Sequence, residues 1–272
     1  MAEFRTAYEA LIVRRDRSRL HVTLNRPQVK NALNPTLIGE LTEVFTTLKQ
    51  RTDIKTVVLR GAGGAFCAGA DLRNMESSLG EAPKPGATDP VATGNRQYGT
   101  FLEMVNNARQ TVVAAVEGYA IAGGFGIVCV SDIAIVTEDC GFAMSETAIG
   151  IVPAQIAPFV AARIGVPQTR HLALTAARFK GAEAVRIGIG HYVVKDTAAL
   201  DAKLEEVLKQ IDRCAPLANA LTKAIVMRVG SEPLATTLDF AADCFAMARR
   251  SPEAAEGLRA FAEKRPPKWA VE

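Results

Sequence analysis

The chain has 272 residues (29.0 kDa), 49% of them hydrophobic, with a formal net charge of +3 and a pI near 8.6. That is length enough for one large domain or a domain with an appendage, and the dispersed positive charge lacks the clustered stripe of a nucleic-acid binder. No window approaches the ~18 uninterrupted apolar residues of a membrane helix.

The N-terminus, MAEFRTAYEA, has acidic residues and no apolar run, so neither a secretory signal nor a transit peptide is evident and a cytoplasmic setting is expected. The apolar pattern predicts strands at 10–14 and 20–24, a helix at 35–51 and, from the strand-like run KTVVLR, a strand at 56–59. A glycine-rich stretch, GAGGAFCAGADL (61–72), follows. Residues 79–97 carry Gly80, Pro83, Pro85, Gly86, Pro90 and Gly94 and read as a surface loop, either covering the site or uninvolved.

A helix at 98–108, a β-branched strand at 112–116, a turn at Gly123 and Gly124, a helix at 125–131 and a strand at 133–136 come next. Helices at 157–164, 168–176 and 182–187 and a strand at 191–194 complete an α/β layering. Beyond that the composition turns Ala- and charge-rich, predicting helices at 198–214, 217–230, 234–250 and 252–263, each amphipathic and needing a surface to cover. The expected division is a core with the site at 1–195 and a helical region at 196–272.

The two glycine-rich turns each lead from a strand into a helix, whose first N–H groups lack intrahelical partners and attract negative charge. Two such turns converging on one carbonyl oxygen would supply two backbone donors; losing one such donor costs roughly 10²–10³ in rate. A dinucleotide fingerprint starting at Gly61 would need glycine where Phe66 stands, and there is no Walker lysine. Either cluster alone reads as a tight turn. The one carboxylate that looks buried and uncommitted is Glu146; Asp71, Glu117 and Asp132 read as helix-end, strand-end or packing residues. Cys67, Cys129, Cys140, Cys214 and Cys244 are scattered without metal-ligand spacing, suit a reduced compartment and leave no metal site to expect. Cys67 is expected to pack, and His21, His171 and His191 stand alone, giving nucleophilic triads little support.

VTLNRPQVKNAL (22–33), AFCAGADL (65–72), AAVEGYAIAGGFGIVCVSDIAI (114–135), FAMSETAIGIVPA (142–154) and EGLRAFAEKRPPKW (256–269), in that order, resemble the crotonase superfamily of enoyl-CoA hydratases and isomerases nearly end to end. The resemblance implies an α/β spiral of repeated ββα units with a C-terminal helical region that builds a homotrimer or a hexamer of paired trimers. It implies that the backbone N–H groups of Ala70 and Gly123 bind the thioester oxygen and that Glu146 is the acid/base. It further implies that Lys30, Ala68, Asp71 and Arg73, with Phe261 and Lys264 from a neighbouring subunit, line the coenzyme A path. Gly126, Ala154 and Gln155 would border the acyl group. Coenzyme A would then arrive as part of the acyl-CoA substrate, with no separate cofactor.

One departure bears on chemistry: members with two glutamates place the second where this chain has Gly126. A glycine within a helix costs about 1 kcal/mol against alanine, so it implies either close packing or room for a bulky acyl group. The expected activity is hydration of a 2-enoyl-CoA by one glutamate and two N–H donors. A Δ3,Δ2-enoyl-CoA isomerase is the nearest alternative, and a non-catalytic CoA-ester or RNA binder a more distant one. IGIVPAQIAPFVAARIG (149–165) resembles hydratases of branched, carboxylated substrates such as 3-methylglutaconyl-CoA and isohexenylglutaconyl-CoA.

Overall fold

The computed structural model describes residues 3–72, 83–84 and 86–270. A six-stranded sheet has the spatial order β1 (Leu11–Asp16), β2 (Arg19–Leu24), β3 (Thr56–Gly61), β4 (Thr111–Val116), β6 (Ile133–Thr137), β8 (Tyr192–Val194). Only the β1–β2 hairpin is antiparallel; the remaining pairs are parallel. A second sheet pairs β5 (Tyr119–Ile121) with β7 (Gly141–Ala143), also in parallel. These two three-residue strands were not predicted.

The central strands read as unbroken apolar runs because both sheet faces are covered. Val57, Leu59, Val112, Ala114, Val116, Ala134 and Val136 face one core, with α1 (Pro35–Leu48), α2 (Pro90–Asn106) and α3 (Gly123–Val130). Val58, Val113, Ala115 and Ile135 face the other, where α7 (Thr197–Asp212) lays Leu200, Leu204, Val207, Leu208 and Ile211. The first helix beyond residue 195 is therefore a layer of the sheet's own core. Between these lie α4 (Ala157–Ile164), α5 (Val166–Thr175) and α6 (Gly181–Arg186).

The expected loop at 79–97 is partly helix. α2 begins at Pro90, because Asp89 caps it by accepting from Val91 N (2.8 Å) and Ala92 N (3.3 Å), and proline is tolerated in a first turn. Residues 79–82 and 85 of that stretch fall outside the described residues. So does Arg73.

The last helices, α8 (Pro216–Val226), α9 (Leu234–Arg249) and α10 (Pro252–Ala262), cover little of this chain. α8 buries no residue, and Leu234, Leu238, Phe245, Met247, Leu258 and Phe261 are all exposed. Among the described residues no helix is long and apolar enough to cross a membrane.

Candidate active site

The first donor loop is threaded between two neighbours. Cys67 N donates to Tyr119 O (2.8 Å) and Ile121 N to Cys67 O (3.0 Å) on one side; Ala68 N donates to Lys30 O (2.9 Å) on the other. Leu33 then spans Ala70, its N–H reaching Gly69 O (2.7 Å) and its carbonyl taking Asp71 N–H (2.8 Å). Backbone groups alternate direction along an extended chain. The N–H of Ala70 therefore faces away from Leu33, and it has no hydrogen-bond partner among the described residues. Ala70 itself is exposed.

Against this loop stands the start of α3. Gly69 (φ 90°) is so close that a Cβ there would lie 2.9 Å from Ala122 Cβ and 3.1 Å from Ile121 O. The expected glycine hinge differs in detail. The unusual backbone belongs to Ala122 (φ 48°, ψ −117°), while Gly123 and Gly124 already lie in the helix. Their lack of a side chain serves contact instead: a Cβ on Gly124 would meet Cys67 O at 2.5 Å, and one on Gly123 would meet Leu33 Cδ1 at 2.6 Å. As the first helical residue, Gly123 has an N–H with no acceptor in its own helix, at the positive end of the helix dipole.

The β5–β7 pairing brings in the carboxylate. Ile121 is in register with Ala143, and Ala122 N donates to Ala143 O (2.9 Å), so the chain leaves β7 beside the α3 N-terminus. Three residues on, Glu146 opens a single 3-10 turn, Glu146–Ile149, stopped by Gly150 in the left-handed region (φ 79°). Glu146 is 8% exposed, and its Oε2 is buried without a hydrogen-bond partner. Burial pushes its pKa above the ordinary glutamate value, the modest opposing effect coming from its own backbone N–H. Tyr98, absent from the sequence reading, also reaches this corner: its hydroxyl donates to Gly123 O at 2.5 Å. The signal was a lone phenol on the face of α2 that carries Phe101, Leu102 and Val105.

The other carboxylates near the loops are committed, as expected. Asp71 accepts from Arg26 Nη2 (3.0 Å), Asp132 from Val112 N (2.7 Å) and Lys223 Nζ (2.8 Å), and Glu117 from Arg60 and Thr197. Asp71 thus serves the donor loop through Arg26, which also holds Ala32 O (2.5 Å). Cys67 packs: it is fully buried and its thiol is pushed up to about 12 by burial. His191 is structural, its Nδ1 accepting from Ala134 N (3.0 Å).

Gly126 is not open space. A Cβ there would lie 2.4 Å from Ile156 Cγ2, and Ile156 is itself buried, so the glycine lets α3 and the α4 entry approach. The alternative of room for a bulky acyl group is corrected accordingly. Ala154 is exposed; Gln155 next to it donates through Nε2 to Asn95 Oδ1 (2.8 Å) and packs on Gly99 of α2. Lys30 (φ 50°) is exposed, its ammonium 4.6 Å from the Tyr119 ring centroid. Phe261 and Lys264 lie at the end of α10, Phe261 85% exposed, and among the described residues no hydrogen bond or ion pair joins them to Lys30 or the donor loop.

Similarity to known proteins extends over nearly the whole chain. The family described as enoyl-CoA hydratase/isomerase matches residues 14–272. A crystal structure of an enoyl-CoA hydratase/isomerase from Marinobacter aquaeolei superposes with a TM-score of 0.92 at 44% identity, over 96% of this chain and 99% of that one. The carnitinyl-CoA dehydratase of Escherichia coli O157:H7 is 31% identical over 96% of this chain and 98% of its own length. The peroxisomal Delta(3,5)-Delta(2,4)-dienoyl-CoA isomerase of Arabidopsis thaliana is 29% identical over 94% of each.

Proposed function

Because the chain belongs to the enoyl-CoA hydratase/isomerase family, we propose that it is a hydratase adding water across the 2,3 double bond of an enoyl-CoA thioester. The observation that carries the reading is Glu146: a buried carboxylate with an unpartnered oxygen, beside two backbone N–H groups free to hold an oxygen. The thioester carbonyl sits against Ala70 N–H and Gly123 N–H, which stabilise negative charge as it builds there. Glu146 takes a proton from water as the water oxygen bonds to C3, and the C2–C3 π electrons move into the enolate. The same carboxyl then returns that proton to C2, so both new bonds form on one face and the carboxylate is regenerated.

Lys30, resting on the Tyr119 ring beside Ala68, meets the charged nucleotide of coenzyme A, as does Arg73; Phe261 and Lys264 complete that path from a second copy. The exposed apolar residues of α8–α10 support assembly into trimers or paired trimers, since monomers seldom carry a patch of that size. Light scattering on the full chain checks this; a monomer at micromolar concentration would sink it.

A second reading, Δ3,Δ2-isomerisation, is favoured by the filled space at Gly126, which leaves Glu146 the one uncommitted carboxylate at the corner among the described residues. Moving a proton between C2 and C4 needs one such group. Supplying 2-enoyl-CoA and 3-enoyl-CoA separately distinguishes the two. Hydration of the first, with loss of the enoyl absorbance, is expected; conversion of the second alone would overturn the hydratase reading. The finer form of the proposal is a branched or carboxylated acyl group, supported by the resemblance of residues 149–165 to hydratases of such substrates.

A further inference from the structure

The backbone at the start of α3 is held in an unfavourable shape. Ala122, at φ 48° and ψ −117°, occupies a region that L-residues rarely adopt, and such conformations persist only where neighbours over-determine them. The peptide so constrained is the one between Ala122 and Gly123, whose N–H is the proposed donor. Three hydrogen bonds hold this peptide and the two that flank it. Ala122 N donates to Ala143 O (2.9 Å), Gly126 N to Ala122 O (3.0 Å), and the Tyr98 hydroxyl to Gly123 O (2.5 Å).

The third brace is the only one from a side chain. Tyr98 is 9% exposed, its ring lies 6.0 Å from that of Phe101, and a Cβ on Gly123 would come within 3.3 Å of its hydroxyl oxygen. The Gly123 carbonyl, as the first in an α-helix, also faces the amide four residues on. That helical bond does not involve the phenol. Burial first, then the neighbouring Cys67 and Glu146, raise the Tyr98 pKa well above its ordinary value, so the hydroxyl keeps its proton and stays a donor.

We propose that Tyr98 is a positioning residue, its hydroxyl fixing Gly123 so that the Gly123 N–H is aimed at the substrate oxygen before substrate arrives. This rests on the function proposed above. It makes α2, rather than α3 alone, part of the machinery that stabilises the enolate.

Tyr98→Phe tests it, with two readouts beside stability. Turnover of the preferred enoyl-CoA should fall about tenfold, less than the 10²–10³ for losing a donor outright because the N–H is misaimed and not removed. KM should stay within about twofold. A 3-ketoacyl-CoA, whose C2 proton can pass to Glu146 while its oxygen takes the charge, should show a weaker near-ultraviolet enolate band when bound to the variant. Unchanged turnover and an unchanged enolate band would overturn the role of Tyr98 while leaving the proposed function intact. Loss of activity that tracks a lowered unfolding midpoint, with the enolate band of the folded fraction unaltered, would make Tyr98 merely structural. If the native protein neither turns over enoyl-CoA nor enolises the ketoacyl ester, the functional reading fails and the role of Tyr98 falls with it.

Discussion

Glu117, at the turn closing β4, and Glu146, at the turn leaving β7, are equally hidden, at 7% and 8% exposure, yet their surroundings are opposite. Glu117 accepts from Arg60 Nε (3.0 Å) and Nη2 (2.8 Å) and from Thr197 Oγ1 (2.6 Å), so β3, β4 and α7 are tied at one carboxylate. Glu146 has no side-chain partner at all among the described residues, and one of its oxygens is orphaned. A buried charge is normally paired and hydrogen-bonded because desolvation otherwise costs several kcal/mol. The contrast teaches that burial alone does not distinguish the two carboxylates. Unmet hydrogen-bonding capacity does, and an acid held without partners is the better candidate to exchange protons with a ligand.

Removing each carboxylate in turn is the strongest way to break this comparison. Glu146→Gln should lower turnover by at least ~10², the scale of a general acid/base, with CoA-ester binding little changed. Glu117→Ala should leave the turnover of folded protein near normal but reduce stability by about 2–3 kcal/mol in denaturant unfolding, somewhat under the figure for a fully buried pair because Arg60 keeps Asp201 at 2.5 Å. If the two variants exchanged these phenotypes, the assignment would be reversed.

The same pair separates in pH dependence. With its folded pKa raised by burial, Glu146 binds its proton more tightly in the native than in the unfolded chain. Native stability therefore falls as pH rises from the ordinary carboxyl range through the raised value, and Glu146→Gln should abolish that decline. The acid limb of kcat/KM should likewise sit above the ordinary glutamate range, because the base must be ionised to take a proton from water.

A smaller effect sharpens the comparison by asking whether the corner tolerates a second carboxylate. Gly126→Glu drives a side chain into Ile156 and should cost about 1–3 kcal/mol through overpacking, in addition to any buried charge. Combining it with Ile156→Ala should recover part of that loss, the recovery measuring the coupling between the two positions. Equal destabilisation with and without Ile156 would show that their contact is not what excludes the glutamate.

Much of this was legible from the chain alone, and the reasons are specific. Apolar runs at 56–59, 112–116 and 133–136 declared themselves because strands covered on both faces leave no polar alternation. The helix at Ala157–Ile164 and the tail helices stood out by their pattern and composition. Glu146 and the two glycine-rich turns were singled out by residue type and by family resemblance, which extends to a shared α/β fold. What the residues by themselves could not carry was decided by contacts between distant segments. β5 and β7, three residues each, are defined by pairing with each other and with the Cys67 and Phe179 segments, and their mutual register is what sets Glu146 beside Gly123. The strained backbone fell on Ala122 and not on the adjacent glycines, because the close approach of Cys67 and Leu33 demands glycine at the helix positions instead. Gly126 proved a packing site only once Ile156 was seen against it, and Tyr98 acquired a partner only when α2 was laid across α3. Local chemistry thus named the candidate groups. Which of two buried glutamates was left without partners depended on side chains arriving from Arg60 and Thr197, 57 and 80 residues away in the sequence.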